Sequence, residues 1–436
     1  MDILLIFPKA KYFQSTSKND KDFFSKIFGE YKSLSLPQLA SLTPDEHKVE
    51  IIDENFEKLN FNKKVDLVGI TCLTMYAKRA YQIADKFRSK GVTVVLGGYH
   101  PSALPDEAKK HADSVVIGEA EFIWPKLLED FKKDSLKPFY TSKEKIPPDK
   151  IPEPKRELLK NKFISDGILI HRGCPNHCEF CTLTKNYNPE FKSIKKVIDE
   201  VKKLKSEVIL IYDANFVIDI DYKKRLLCEL KKFKKRWLAQ GTINVLGKSD
   251  EFLKISKEAG LFSWYIGFES ILQKSLDETN KKVNVVDDYQ SSIKKIKDNE
   301  MIIAGAFVFG FDNDDPDIFK KTYDSIINWD IDMVDFHILT PFPGTPLYDR
   351  LKKEGRILTE DWDRYNLVNV VFQPKNMSAK ELYEGTRWIT KQYYSIKNII
   401  KRYFKAIERH KDYYLSFYVL LQNIRSRQQF KSLYDF

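Results

Sequence analysis

Short apolar runs alternate with helical patterns along the first 130 residues of the chain. The runs are rich in β-branched residues, which is typical of strands buried on both faces of a sheet. Between them, residues 75–90 and 105–111 repeat apolar positions at helical spacing. The runs predicted as strands are residues 1–8, 49–53, 65–71, 92–97 and 114–117. The alternation predicts an α/β fold, a doubly wound parallel sheet with helices on both faces.

A second series of strands and helices follows a Lys- and Pro-rich segment at 135–160, whose composition predicts a linker. Strands are predicted at 168–171, 208–212, 237–244, 262–267, 302–309 and 333–339, with helices such as 193–205 and 287–299 between them. Six such repeats form a partial (βα)6 TIM-like barrel, because a closed barrel takes eight. The predicted domains are therefore residues 1–134, the linker 135–160, the barrel 161–346 and a mostly helical extension 347–436.

Charge is unevenly distributed along the chain. The 436 residues carry 73 Lys and Arg against 62 Asp and Glu, and residues 377–436 alone hold 12 basic and 5 acidic residues. Basic helices dense in aromatic residues suit a membrane surface or a lipid phosphate, but an ordinary tail with a solvated Lys face has the same pattern. Nucleic acid is the weaker interpretation, because no RNA-binding module is recognisable.

Neither a membrane span nor a targeting signal is predicted. No run of about 18 apolar residues occurs, and the apolar residues 1–8 lack a basic leader. Five cysteines in a chain of this length exclude a disulfide scaffold and favour a reducing compartment. We therefore expect a cytoplasmic protein, with a peripheral membrane contact left open.

The strongest chemical signal is the segment 173–181, GCPNHCEFC. Its cysteines are Cys174, Cys178 and Cys181. Thiolates are preferred ligands of iron–sulfur clusters, and three of them hold three corners of a four-iron cluster and leave the fourth iron open. Zinc with His177 as a fourth ligand is the alternative, although structural zinc sites prefer paired CxxC motifs. Cys72 and Cys228 lie in apolar runs, so we expect both to be buried core thiols.

The CxxxCxxC spacing, the aromatic Phe180 before the third cysteine and the six βα repeats together resemble the radical S-adenosylmethionine enzymes. The resemblance implies a [4Fe-4S] cluster that cleaves S-adenosylmethionine to a 5′-deoxyadenosyl radical, and an electron donor such as flavodoxin or ferredoxin. The positions that match the family's S-adenosylmethionine contacts are Phe180, Asp213, Asn215, Gln240, Glu269, Ser270, Gly305 and Phe307. Each alone has an ordinary alternative, since a carboxylate also caps helices and a Gly-rich strand also allows close packing.

The first domain resembles the cobalamin-binding domain that precedes many such enzymes. The matching segments are 42–44 (LTP), 49–54 (VEIIDE), 66–71 (DLVGIT), 97–101 (GGYHP) and 118–121 (GEAE). The residues that the resemblance places beside cobalamin are Thr71, Leu73, Gly97, Gly98, His100, Pro101, Gly118, Glu119 and Glu121. The absence of a GxGxxG fingerprint argues against a dinucleotide. The DxHxxG pattern, whose His binds cobalt from below, is also absent, so the lower corrin face is expected to lack a protein nitrogen. A degenerate domain without cobalamin stays an alternative.

Residues 358–365, 371–378 and 393–395 are similar to the C-terminal extension of radical enzymes that modify hopanoid and archaeal lipids. Together the resemblances imply a cobalamin-dependent radical methyltransferase that acts on an unactivated carbon of a lipid or secondary metabolite. One alternative is a radical enzyme that cyclises, couples or oxidises such a substrate without methyl transfer. A non-enzymatic metal-binding module is the other.

Overall fold

The computed structural model describes residues 1–9, 33–144, 146–160, 165–183 and 188–434. The first domain contains the strands β1 (Asp2–Phe7), β2 (Lys48–Asp53), β3 (Leu67–Thr71), β4 (Thr93–Gly97), β5 (Ser114–Ile117) and β6 (Phe139–Thr141). They form one parallel sheet in the order β2-β1-β3-β4-β5-β6. Its helices are α1 (Ser35–Ser41), α2 (Ala77–Arg88), α3 (Tyr99–Ala103), α4 (Pro105–Lys109) and α5 (Ile123–Lys132).

Strand β1, next to the edge strand β2, is covered on both faces, as a doubly wound sheet requires. Ile3 and Leu5 pack into one hydrophobic cluster, and Leu4 and Ile6 pack into another on the opposite side. The predicted parallel α/β architecture is thus confirmed. Strand β6 is not among the predicted strands, because it lies in the segment whose Lys and Pro content predicts a linker. The sheet therefore continues past residue 134.

The second domain contains the strands β7 (Ser165–Ile168), β8 (His171–Arg172), β9 (Glu190–Phe191), β10 (Val208–Ile211), β11 (Arg236–Gly241), β12 (Leu261–Glu269), β13 (Ile302–Phe309) and β14 (Met333–Ile338). The order β14-β13-β12-β11-β10-β7 gives a parallel, six-stranded partial barrel, and β8 pairs with β9 alone. Its helices are α6 (Ile194–Val201), α7 (Ile220–Leu230), α8 (Ile243–Leu246), α9 (Asp250–Glu258), α10 (Gln273–Glu278), α11 (Tyr289–Asp298), α12 (Ile318–Trp329) and α13 (Pro346–Lys353).

The chain ends in the helices α14 (Ala379–Tyr393), α15 (Ile396–Arg409) and α16 (Tyr413–Tyr434). A capping box of Ser378 and Glu381 starts α14, and the Tyr394 hydroxyl that follows it donates to the Val334 carbonyl of β14 at 2.7 Å. Ala406 of α15 packs with Phe262 and other residues near the amino ends of the barrel strands. Among the described residues, no helix has the length and apolarity needed to span a bilayer.

The two domains meet at the carboxyl ends of their strands. After β4, the Tyr99 hydroxyl donates to the Pro343 carbonyl that follows β14, at 2.7 Å. After β7, Arg172 forms an ion pair with Glu121, which follows β5. Because ligands of open α/β sheets bind beyond these ends, the interface brings two potential binding edges together.

Candidate active site

The cysteine loop begins directly after β8 and is anchored to the segment that follows α10. The Glu179 amide donates to the Thr279 carbonyl at 2.9 Å, and the Asn280 side-chain amide donates to the His177 carbonyl at 3.0 Å. Within the loop Cys178 is buried, whereas Cys174 and Cys181 are half-buried. The three thiols are thus presented from one loop whose backbone is fixed from both sides of Cys178.

A bidentate ion pair fastens the same loop to α13. The Arg350 guanidinium donates to both carboxylate oxygens of Glu179, at 2.7 and 2.9 Å. The backbone amide of Leu347 adds a hydrogen bond to the Glu179 carbonyl at 3.1 Å. Paired N–H donors on one carboxylate fix direction as well as distance, so the middle of the cysteine motif is held rigidly.

An ion pair between the half-buried Lys281 and the buried Glu269 lies next to the thiols. The Lys281 ammonium donates to the Glu269 carboxylate at 3.0 Å. Burial opposes the charge of Lys281, but Glu269 and the neighbouring cysteines outweigh it and raise the lysine pKa. Burial raises the pKa of the Cys178 thiol to about 11, and Lys281 acts in the opposite direction. Three thiols on one loop, with a cation beside them, suit the thiolate ligands of an anionic iron–sulfur cluster.

Several residues expected at S-adenosylmethionine lie on this edge. Glu269 ends β12 in the left-handed region, with φ +64°, at a register shift next to Gly267. Such a bulge redirects the side chains that follow it. Ser270 comes next, and its hydroxyl accepts from the Leu272 amide at 3.1 Å. Phe180, in the cysteine loop, packs against Phe311 with ring centroids 6.3 Å apart.

Two further residues expected at S-adenosylmethionine are Gln240, in β11, and Asn215, after β10. Trp237 and Ala239 belong to the core beneath the helices, so alternation along β11 puts the exposed Gln240 on the opposite, inward face. Asn215 is buried, and its side-chain carbonyl has no hydrogen-bond partner among the described residues.

Asp213, also expected at S-adenosylmethionine, is fully buried, and its carboxylate is hydrogen-bonded within the second domain. It accepts from the His171 ring at 2.6 Å, from the Lys223 ammonium at 2.8 Å, and from the amides of Ile170 and His171 at 2.7 and 3.1 Å. Burial alone would raise the pKa of Asp213, but Lys223 and His171 hold it well below its ordinary value. This cluster positions the strand that leads into the cysteine loop.

Gly305 and Phe307, also expected at S-adenosylmethionine, pack in the core of the second domain. Phe307 is fully buried and stacks on Phe268 with ring centroids 5.2 Å apart. A Cβ at Gly305 would lie 3.1 Å from two atoms of the Phe268 ring. Strand alternation therefore gives the inward face of β13 to Ala304, Ala306 and their neighbours.

A cavity of about 390 Å³ lies between the domains. Of the nine residues expected at cobalamin, six line it: Thr71, Gly97, Gly98, Gly118, Glu119 and Glu121. Gly98 and Gly118 have φ of +97° and +88°, which favours glycine, and a Cβ at Gly118 would meet open space. Side chains such as Val95 and Trp124 make the interior apolar, and Leu169 and Arg172 close it from the second domain. A glycine-edged, mainly apolar cavity fits part of a large organic cofactor.

Three of the nine residues lie elsewhere. Leu73 is exposed, and Pro101 is buried in α3. His100 is fully buried and its Nε2 lies 3.3 Å from Glu107, which also accepts from the Trp362 indole at 2.9 Å. His100 therefore belongs to an interdomain polar contact and does not supply a ligand to the cavity.

Sequence reasoning missed Lys281, Glu179 and Arg350. Glu179 stands inside the motif, but its partner lies 171 positions away, and no spacing predicts such a pair.

Of the two cysteines expected in the core, Cys72 is buried but Cys228 is exposed, which corrects that expectation for Cys228. In the part of the chain that the structure describes, no three His, Cys, Asp or Glu side chains converge on a single-ion site.

Comparison with known proteins gives three family matches along the chain. Residues 22–128 match the B12 binding domain, residues 168–326 match the radical SAM superfamily, and residues 345–425 match a domain of unknown function, DUF4070. The order is the one predicted from the two resemblances.

Individual relatives agree with these matches. Bacteriochlorophyllide d C-8(2)-methyltransferase of Chlorobaculum tepidum is 34% identical over 78% of this chain and 80% of its own length. Hopanoid C-2 methylase of Rhodopseudomonas palustris is 24% identical over 82% of this chain and 71% of its own. The solved structure of the radical S-adenosylmethionine methyltransferase TsrM of Kitasatospora setae, with cobalamin and a [4Fe-4S] cluster bound, has a TM-score of 0.63 at 16% identity, covering 81% of this chain and 78% of that one.

Proposed function

Since the chain belongs to the cobalamin-dependent radical S-adenosylmethionine methyltransferases, we propose that it methylates an unactivated carbon of a lipophilic small molecule, a lipid or a secondary metabolite. Its cofactors are a [4Fe-4S] cluster, S-adenosylmethionine and cobalamin. The observation that carries the proposal is the interdomain cavity, which receives residues from the strand ends of both domains.

The bound groups supply a carbon-centred radical oxidant and a methyl carrier, and the chain's own residues hold and separate them. Cys174, Cys178 and Cys181 are the proposed cluster ligands, with Lys281 as the neighbouring cation. Gly98 and Gly118 keep the edge of the first sheet free of side chains. The Arg172–Glu121 ion pair joins the cysteine loop to that edge, so it sets the distance between the two binding regions.

The substrate class is inferred from relatives and from the inward face of the barrel. The names of two relatives refer to bacteriochlorophyllide and to hopanoids, and both kinds of molecule are lipophilic. The small residues Ala304 and Ala306 on that face leave room for a bulky substrate above the sheet. We infer that a lipid or lipophilic metabolite lies between the two strand edges.

Two partners belong to the same proposal. Reductive cleavage of the sulfonium needs an electron, for which we propose a flavodoxin or ferredoxin as the donor. We also propose that the basic C-terminal extension makes a peripheral membrane contact, because 12 basic and 5 acidic residues lie between 377 and 436.

An anaerobic incubation with methyl-deuterated S-adenosylmethionine tests the methyl transfer. Cluster-loaded protein, hydroxocobalamin and a reductant are mixed with bacteriochlorophyllide or a total lipid extract, and products are examined by mass spectrometry. We expect a product that carries the deuterated methyl group, and none with Cys178→Ala. Formation of 5′-deoxyadenosine with a changed but unlabelled product would instead favour cyclisation, coupling or oxidation.

A further inference from the structure

The outward face of α15 is apolar, although the helix lies on the protein surface. Ile396, Ile400 and Phe404 recur every fourth residue, so they lie on one face. Their exposed fractions are 62%, 47% and 57%. The opposite face is already buried, through Ile399 and Ala406. A surface helix packed on one side is normally polar on the other, so this apolar stripe of Ile396, Ile400 and Phe404 requires a separate explanation.

Exposed apolar side chains concentrate in the sequence segment that contains this stripe. Among the described residues, thirteen large apolar side chains are exposed, and seven of them lie between positions 388 and 417. The four outside the stripe are Trp388, Tyr413, Tyr414 and Phe417. Isolated exposed apolar residues are common, but a cluster in one short segment marks an interaction surface. Aromatic residues are also the side chains that favour a membrane–water interface.

Basic side chains line one edge of the stripe. Lys397 and Lys401 each follow a stripe residue by one position and are exposed. Within the part of the chain that the structure describes, neither has a carboxylate within ion-pair distance. Glu408, an exposed acidic residue, lies further along the same edge. An aliphatic face edged by unpaired lysines fits a partner that is apolar inside and anionic outside.

A second copy of the chain fits less well. A two-fold contact through the stripe would bring the lysines of each copy near those of the other, since such interfaces pair a patch with itself. Like charges facing each other disfavour association. The charge of the patch therefore favours an anionic surface over a self-complementary one.

We propose that the apolar stripe of α15 docks on an anionic lipid bilayer, with Lys397 and Lys401 at the lipid phosphates. This inference deepens the proposed function and rests on its lipophilic substrate. Arg409, at the end of α15, pairs with Asp330 and Asp332 just before β14, at the barrel edge remote from the cysteine loop. The stripe therefore tethers the enzyme to the bilayer without covering the active site.

Vesicle sedimentation tests the proposal on the full-length, cluster-loaded protein. Vesicles of phosphatidylglycerol and phosphatidylethanolamine are compared with vesicles of phosphatidylcholine alone. We expect binding to the anionic vesicles, roughly a hundredfold weaker in the double variant Ile400→Asp/Phe404→Asp, which loses two apolar insertions. The variant Lys397→Gln/Lys401→Gln should bind about thirtyfold more weakly. Leu358→Asp, which changes an exposed leucine outside the patch, is the matched control and should bind as the parent does.

Three results overturn the proposal. One is that the parent protein does not bind the anionic vesicles. Another is that both double variants bind these vesicles as tightly as the control variant does. A third is light scattering that shows a dimer for the parent and a monomer for Ile400→Asp/Phe404→Asp, because the stripe would then be covered by a second copy. S-adenosylmethionine cleavage is measured on the same samples without vesicles. Its failure with intact vesicle binding counts against the proposed function alone.

Discussion

Replacing Arg350 by Gln should loosen the loop that carries the cluster cysteines. The guanidinium donates twice to Glu179 within the motif and once to Asp312, at 2.9 Å. The side chains of Arg350 and Glu179 are 30% and 17% exposed, so water replaces these contacts only in part. Losing hydrogen bonds between charged groups of this kind costs about 2 kcal/mol. The same amount should be lost from the free energy that keeps the loop closed.

Chelation of cluster iron measures that free energy. A chelator reaches the iron through transient opening of the loop, so the rate follows the population of the open form. A loss of about 2 kcal/mol raises that population roughly thirtyfold. The assay is anaerobic iron release to a coloured chelator, followed with time for the parent and Arg350→Gln. Glu179→Gln should behave similarly, and the double variant should lose little more than either single one.

Lys352→Gln is the matched control, because it removes an ion pair from the same helix. Lys352 pairs with Glu360 at 2.9 Å, but both side chains are more than half exposed. Such a pair contributes about 0.5 kcal/mol, which corresponds to roughly a twofold change. If Arg350→Gln released iron no faster than Lys352→Gln, the argument that α13 anchors the cysteine loop would be refuted.

The variant Gly305→Val should lose about 1–3 kcal/mol of the free energy of unfolding, because the added side chain crowds the Phe268 ring. We therefore expect a lower melting temperature. An unchanged melting curve with weaker S-adenosylmethionine binding would instead place Gly305 at the nucleoside. Asp213→Asn should cost about 3–5 kcal/mol, because it leaves a buried ammonium unpaired. Since the pKa of Asp213 is lowered on folding from its ordinary 3.8, the parent's advantage in urea unfolding of cluster-free protein should shrink on acidification below that value, and an advantage independent of pH would contradict this. Iodoacetamide should modify Cys228 in the native protein but Cys72 only after unfolding, because burial raises the pKa of Cys72 and shields its thiol. Mass spectrometry measures the labelling of each cysteine. Equal labelling of both in the native protein would contradict their placement.

The sheets could be predicted because their signals are local. Buried parallel strands are continuous apolar runs, and the predicted strands of both domains correspond to strands of the structure. Strand β6 escaped prediction because three residues at a sheet edge, Phe139–Thr141, follow a Lys-Pro pair and carry no apolar run. The cysteine loop was equally accessible to prediction, since its three cysteines are close together in the sequence.

Side-chain direction was harder to predict than position. Asp213 and His100 do follow strands at the binding edge, but each turns into a buried polar contact. Sequence order gives the edge on which a residue lies, whereas neighbours distant in sequence decide where its side chain points. Lys223 and Glu107 supply those contacts here. The same reason hid the Glu179–Arg350 anchor.

Cleavage of S-adenosylmethionine tests the central claim most directly. The protein is reconstituted anaerobically with iron and sulfide, reduced with titanium citrate, and analysed for 5′-deoxyadenosine and methionine by liquid chromatography. We predict that both products form with the parent chain and that neither forms when Cys174, Cys178 or Cys181 is replaced by Ala. Intact S-adenosylmethionine in the presence of parent protein with a full complement of iron and sulfide would contradict the account.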